Sequence, residues 1–147
     1  MGVVDKFNKR IDQLEKAIYP TIQITVNRNK GDIIDQQTNG QMYKGEDSKG
    51  MQFVPSYALS TINTKKRKGQ PTNRVTLKDT GDLYKSIKVD ASTTDFIISA
   101  NVEYFKYLVT HYSSNIILGL KREYLTEFVN KKILPNLEVE FKKIIAK

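Results

Sequence analysis

Apolar residues recur near the start of the chain with alternating spacings of three and four residues, and charged residues fill most of the positions between them. The apolar positions are Val4, Phe7, Ile11, Leu14 and Ile18. This spacing is typical of an amphipathic helix with a narrow apolar stripe. The sequence therefore predicts an N-terminal helix over residues 1–20, which Pro20 is expected to end or kink.

The next segments combine ambiguous and turn-forming patterns. Ile22, Ile24 and Val26 alternate as in a strand, but Ile18, Ile22 and Val26 also share one helical face. The β-branched side chains favour a strand for residues 21–26. Further on, residues 41–43 and 51–54 flank a run with two glycines, an aspartate and a serine, which predicts a hairpin over 41–54.

The second half of the chain predicts a short helix over 82–87, strands over 87–90 and 96–100, and a helix over 104–112. A long helical pattern covers 121–147 and changes phase at Pro135, where we expect a kink or two abutting helices. Together these elements predict one α+β domain over 1–147. It would have a small antiparallel sheet with helices packed on it, an N-terminal helix and a long kinked C-terminal helix.

Composition narrows the chemistry that this chain can perform. The 147 residues contain no cysteine and one histidine, which excludes disulfides, thiolate nucleophiles and cysteine-ligated metals. Asp79 and Asp82 could hold a magnesium ion, but capping the helix that follows is the commoner role of such residues. We therefore predict no catalytic residue, no metal and no cofactor. The chain also shows neither a membrane-spanning stretch nor a secretory signal.

The net charge of +8 is unevenly distributed along the chain. Residues 65–88 carry eight basic and two acidic side chains, and residues 64–74 contain no apolar residue, so this segment is predicted to be a basic loop or arm. Its candidate contact residues are Lys65, Lys66, Arg67, Lys68 and Arg74. Two interpretations remain open: contact with nucleic-acid phosphates, or a solvated segment that meets an acidic neighbour.

One short motif resembles a known family. It consists of Leu77, Thr80, Gly81, Leu83, Ser86 and Ile87. The motif resembles the L-x-x-T-G-x-L-x-x-S-[IV] signature of head–tail connector and tail-completion proteins of tailed phages, which include neck and minor tail proteins. The strand pair, tyrosine-led helix and C-terminal helix also follow in the family's order. The wider sequence is similar to a subgroup from phages of Bacteroides-type hosts, including crAss-like phages.

This resemblance implies a structural virion protein, present in the host cytoplasm during assembly, and not an enzyme. It implies a ring of six or twelve copies around the DNA channel, next to portal, neck or tail proteins, with possible nonspecific contact to genomic DNA. The motif would act as an architectural corner. Tyr43, Met51 and Phe53 of the 41–54 hairpin, and the basic arm, are candidates for reaching neighbouring subunits. The alternative is a stand-alone basic nucleic-acid-binding protein.

Overall fold

The computed structural model describes residues 1–112 and 114–147. Its α-helices in chain order are α1 (Val3–Arg28), α2 (Lys30–Asp35), α3 (Leu59–Arg67), α4 (Asp82–Ser86), α5 (Phe105–Tyr112), α6 (Ser114–Ile117), α7 (Arg122–Phe128) and α8 (Leu134–Ile145). Strands β1 (Lys88–Ala91) and β2 (Phe96–Ser99) pair in a two-stranded sheet. The predicted α+β class, with a small antiparallel sheet and long terminal helices, is confirmed.

The chain divides into two compact units, each assembled from separate segments. Unit 1 comprises Met1–Asn29, Asp90–Ile97 and Thr126–Lys147, and unit 2 comprises Lys30–Val89 and Ile98–Leu125. One domain over residues 1–147 was predicted from the sequence. The division into two compact units does not test that prediction, which remains a prediction.

Unit 1 is built around α1 and α8. Thr25 and Val26 of α1 are buried, and the Nδ2 of Asn136 in α8 donates a hydrogen bond to the Thr25 hydroxyl at 3.1 Å. Phe96 and Phe128 add an edge-to-face aromatic pair with centroids 6.4 Å apart. This unit therefore combines a helix pair with a small aromatic contact.

The prediction that the first helix ends at Pro20, and the preference for a strand over residues 21–26, are wrong, because α1 continues to Arg28. Proline removes one backbone donor from a helix, and the remaining bonds tolerate this loss when packing favours the helix. The hydroxyl of Thr25 also donates to the carbonyl of Thr21, one helical turn earlier. The i, i+4 spacing that ends at the buried Val26 thus outweighed β-branched propensity.

Unit 2 contains the larger apolar cluster. Its buried members are Met42, Phe53, Val75, Leu83, Tyr84, Ile87, Tyr112 and Ile117. Two completely buried glutamines lie beside this cluster, on a π-helical segment over Gln36–Gln41. Polar side chains at such positions must find hydrogen-bond partners within the fold.

The side chains of these two glutamines form hydrogen bonds with the backbone at the end of α6 and in the segment that follows it. The side-chain amide of Gln37 donates to the carbonyl of Ile117 and accepts from the Gly119 N–H. Gln41 donates to the carbonyls of Asp47 and Gly119 and accepts from the Lys121 N–H at 2.9 Å. Each amide thus bonds backbone groups about 80 residues away in sequence.

The hairpin predicted over 41–54 is wrong in its strands and right in its turn residues. Met42–Lys44 is a 3-10 helix, and the only antiparallel pairing recorded in the segment is a single bridge between Glu46 and Gln52. The side chain of Asp47 accepts hydrogen bonds from the N–H groups of Lys49 and Met51, which closes the turn. Burial of the consecutive residues Gln41 and Met42 suits a helical segment, since a half-buried strand would bury every second residue.

The C-terminal prediction over 121–147 agrees with the structure. Between α7 and α8 lies a π-helical segment, Val129–Ile133, and Pro135 stands in the first turn of α8. Proline lacks a backbone N–H, so it interrupts the helical hydrogen bonds here, as interruptions at prolines and π-helical turns commonly do. The predicted interruption is therefore a wide helical turn that directly precedes the proline.

Candidate interaction site

The motif residues form a tight corner that begins α4. Gly81 adopts a left-handed conformation with φ of 91°, which a glycine reaches at low cost. The Thr80 hydroxyl donates to the Asp82 carboxylate at 2.7 Å and accepts a longer bond from the Asp82 N–H. Leu83 and Ile87 then enter the buried cluster of unit 2.

Ser86 ties this corner to the segment that follows β2. Its hydroxyl donates to the carbonyl of Leu83 at 2.8 Å and accepts from the Asn101 N–H at 3.2 Å. The motif side chains are thus engaged in capping, packing and backbone bonds. This arrangement has the geometry of a structural corner.

Two tyrosines hold the backbone in front of the corner. Leu77 has a φ of 54°, which is uncommon for a residue with a side chain. The Tyr57 hydroxyl accepts hydrogen bonds from the Thr76 and Leu77 N–H groups, and the Tyr84 hydroxyl donates to the Thr76 carbonyl at 2.6 Å. Burial raises the pKa of Tyr84 well above its ordinary value. This role of Tyr57 and Tyr84 was not predicted from the sequence. The only local signal is that both tyrosines lie near the basic segment in the chain.

The basic arm predicted over 64–74 is wrong as a loop, because its first residues belong to α3. Lys65 is only 6% exposed. Its ammonium donates to the Lys78 carbonyl at 2.7 Å and to the side chain of Gln70, and it lies 5.0 Å from the Tyr57 ring centroid. Lys65 is therefore a structural cation with its hydrogen bonds supplied inside the fold.

Two more of the predicted contact residues are engaged within unit 2. Lys68 forms an ion pair with Asp79 at 2.6 Å, which lowers the pKa of that carboxyl. The guanidinium of Arg74 donates to the Tyr43 carbonyl at 2.7 Å. Lys66 and Arg67 remain exposed, and neither forms an ion pair with a described residue. Arg67 donates only a long hydrogen bond of 3.4 Å to the Asn63 carbonyl, so Lys66 and Arg67 are the two of the five predicted cations that are most accessible to an outside partner.

Cations and tyrosine rings alternate beside the corner. Arg74 lies 5.2 Å from the Tyr43 ring centroid, and the ammonium of Lys78 lies 5.4 Å from Tyr43 and 5.3 Å from Tyr84. At these distances a cation is attracted to the ring face. Much of the positive charge in this segment therefore stabilises unit 2 itself.

The three residues proposed as an interface hairpin do not form one surface. Phe53 is 4% exposed and packs edge-to-face on Tyr112, so its assignment as a contact residue is wrong. Tyr43 is half-buried beneath Arg74, and Met51 alone is largely exposed. The assignment failed because residues 51–54 do not form the strand of a projecting hairpin, and Phe53 packs in the apolar cluster of unit 2.

An open groove of about 790 Å³ lies on unit 2, next to the corner. Its apolar and aromatic lining is provided mainly by Tyr57, Leu77, Tyr104, Tyr107, Leu108 and Tyr112. Asp79 and Asp82 stand at its exposed rim. Burial raises the pKa of both Tyr104 and Tyr112. Such a surface suits a partner with apolar side chains.

Within residues 1–112 and 114–147, no group of three His, Asp or Glu side chains is placed to hold a metal ion. His111 lines the groove and stacks edge-to-face on Tyr112. Asp79 is engaged by Lys68, and Asp82 is engaged by Thr80. None of the described helices is both long enough and apolar enough to cross a bilayer.

Comparisons with family models, with curated proteins and with solved structures each returned no match.

Proposed function

We propose that this chain is a structural subunit of a phage neck or tail, acting as a head–tail connector or tail-completion protein. It would assemble as a ring of six or twelve copies around the DNA channel and contact adjacent portal, neck or tail proteins. It would be found in the virion, and in the host cytoplasm during assembly. The role is structural and involves no catalysis.

The observation that carries this proposal is the corner at residues 77–87 together with the elements after it. Leu83 and Ile87 enter the core, Gly81 makes the turn, and Ser86 bonds forward to Asn101. The strand pair, α5 and the C-terminal helices follow in the order that the resemblance implies. A motif whose residues serve folding is what a structural subunit requires.

The distribution of cations favours this role over a stand-alone nucleic-acid-binding protein. Phosphate binding depends on the number of free lysines and arginines that release counterions. Lys65, Lys68 and Arg74 are already engaged inside unit 2, which leaves Lys66 and Arg67 from the predicted cluster. The engagement of three of its five cations inside unit 2 lowers the capacity of this cluster to bind DNA tightly in an isolated chain.

Mass spectrometry and electron microscopy of purified virions whose genome encodes this chain test the proposal. We expect six or twelve copies per particle and ring density in the neck or tail. Absence of the chain from the particle would overturn the proposal. Tight, salt-sensitive DNA binding by the free chain, lost with Lys66→Gln and Arg67→Gln, would then favour the alternative.

A further inference from the structure

The first three turns of α1 carry an exposed apolar stripe. Val3, Val4 and Phe7 are 84%, 69% and 62% exposed, and Ile11 is exposed as well. Their spacing returns to the same side of a helix with 3.6 residues per turn. Lys6 and Arg10, four residues apart, lie along one flank of this stripe.

This stripe extends beyond the partner helix of α1 in unit 1. The bond between Thr25 and Asn136 fixes the register, and Lys143 shares a depression with Lys16, so the two helices run antiparallel. Since α8 ends at Ile145, its last turn lies near residue 16 of α1. About 13 residues of α1, or about 20 Å, therefore continue past α8. Isolated helical segments of this length are marginal in water.

We propose that this segment of α1, defined as residues 3–15, docks into the groove on unit 2 of a second copy of the chain. The proposal rests on the proposed function, because a closed ring needs two different surfaces that meet between neighbouring copies. It identifies those two surfaces.

Shape and lining support the match. Helices that bind grooves use anchors at i, i+3 and i+7, which here are Val4, Phe7 and Ile11. The groove offers tyrosine and leucine side chains, among which Tyr107 is 67% exposed. Exposed apolar surface of this kind on both parts favours burial of one against the other.

Charge supports the same pairing. At the groove rim, Asp82 forms no ion pair with a described residue, whereas Asp79 is already paired with Lys68, and the flank of the α1 stripe carries Lys6 and Arg10. Lys65 and Lys78 also line the groove and keep their positive charge, although the Lys78 carbonyl binds the Lys65 ammonium and two tyrosine rings contact the Lys78 ammonium, so Asp82 is the rim charge that Lys6 and Arg10 would meet. Opposite charges at the rim of an interface steer association and set its register.

The absence of cysteine makes site-directed cross-linking clean. Two single variants, Phe7→Cys and Tyr107→Cys, are mixed and treated with a short bismaleimide, because a disulfide would require Cα atoms within about 7 Å. Both positions are exposed, so both variants should fold, and the anchors Val4 and Ile11 and the other groove side chains remain to support docking. The matched control replaces the first variant with Lys9→Cys, which places the thiol on the opposite side of α1.

We expect at least about tenfold more mixed dimer from the Phe7→Cys pair than from the Lys9→Cys control, because docking raises the effective concentration of the two thiols. Adding Arg10→Glu to the Phe7→Cys variant should lower the yield, and added salt should lower the yield of the unmodified pair. Equal yields in the two mixtures would overturn the proposal, because they would show that residues 3–15 do not occupy the groove. This holds both for an empty groove and for a groove that binds a different protein. Cross-linking of Phe7→Cys to itself in preference to Tyr107→Cys would also overturn it.

The double variant Phe7→Cys with Tyr107→Cys separates this inference from the function. A ladder of products that stops at six or twelve copies supports both the docking and the ring. A ladder without a limit supports the docking and contradicts the closed ring. Products formed only within one chain contradict the docking, and the virion analysis then judges the proposed function independently.

Discussion

In unit 2, Ile33, Met42, Leu83 and Ile117 are almost completely buried, whereas α8 of unit 1 contains no buried residue along its 12 positions. Unit 2 surrounds its apolar cluster with backbone that is held by glutamine and tyrosine side chains. Unit 1 pairs two long helices and leaves apolar side chains on their outer faces.

Because of this difference in burial, we expect unit 2 to contribute mainly to the stability of the chain and unit 1 to contribute to its association with other surfaces. Buried polar groups with complete hydrogen bonding specify one arrangement of the chain, so the geometry of the corner is well defined. Helices with exposed apolar stripes gain from burial against another surface. Substitutions in unit 2 should therefore affect the stability of the chain, and those at the outer faces of unit 1 should affect its associations.

The largest effect is expected at Gln41. In Gln41→Ala, the Gly119 carbonyl and the Lys121 N–H lose their partner inside the fold, and the Asp47 carbonyl keeps only its bond from the Gly50 N–H. We expect the free energy of unfolding to fall by about 4 kcal/mol, measured by urea denaturation. Gln36→Ala is the control, because the side-chain carbonyl of Gln36 has no hydrogen-bond partner in the described residues. A similar loss in both variants would contradict the role given to Gln41.

Sequence patterns predicted the elements that depend on local chemistry. Gly81 and Ser86 indicated the corner, and the β1–β2 hairpin and α5 were found within a residue or two of their ends. Sequence patterns failed where contacts between residues far apart in the sequence determine the structure. Nothing in the local sequence marked Gln37 and Gln41 as buried, since the backbone groups that they bond lie about 80 positions later.

The candidate site shows the same limit. A run of four cations predicts a solvated or phosphate-binding segment, and nothing local marks Lys65 as the buried member. Its burial depends on the Lys78 carbonyl and the Tyr57 ring, which the fold brings to it. The groove likewise combines residues from α3, the corner and α5, so no single stretch of sequence could reveal it.

A pair of truncations tests the contrast between the units directly. Leu83→Ala removes a buried side chain of unit 2 and should cost about 3 kcal/mol of unfolding free energy. Val139→Ala removes a half-exposed side chain of α8 and should change stability by less than about 0.5 kcal/mol. Thermal and urea unfolding of both variants provide the measurement. Equal losses would mean that α8 is as tightly packed as the core of unit 2.

A smaller effect is expected from Tyr84→Phe, which removes the bond to the Thr76 carbonyl and should cost about 1 kcal/mol at neutral pH. Because burial raises the pKa of Tyr84, its contribution is fully present below its ordinary pKa of about 10 and is lost as the pH rises further. Unfolding measured between neutral and alkaline pH should therefore show a steeper loss for the unmodified chain than for Tyr84→Phe. Tyr107→Phe, at an exposed position, should follow the unmodified chain.

The smallest effect is expected at Asp79, whose ion pair has nearly the same length as a second, less exposed ion pair of unit 2. Lys121 and Glu46 are 2.7 Å apart with side chains 14% and 21% exposed, and Lys68 and Asp79 are 2.6 Å apart with side chains 46% and 60% exposed. Glu46→Gln should cost about 1 to 2 kcal/mol, because it weakens a charge-assisted bond that little water can replace. Asp79→Asn should cost less than about 0.5 kcal/mol, since water screens the exposed pair.

Acid titration distinguishes the exposed pair from a purely structural effect. The Lys68 ammonium lowers the pKa of Asp79, so the pair contributes stability above the ordinary carboxyl pKa of about 4 and loses it as the pH falls through the lowered value. Urea unfolding of Asp79→Asn and of the unmodified chain should therefore differ slightly at neutral pH and converge in acid. A difference that persists at low pH would show that Asp79 supports the corner through its shape and hydrogen bonds, and the distinction between buried and exposed polar contacts in unit 2 would then fail at this residue.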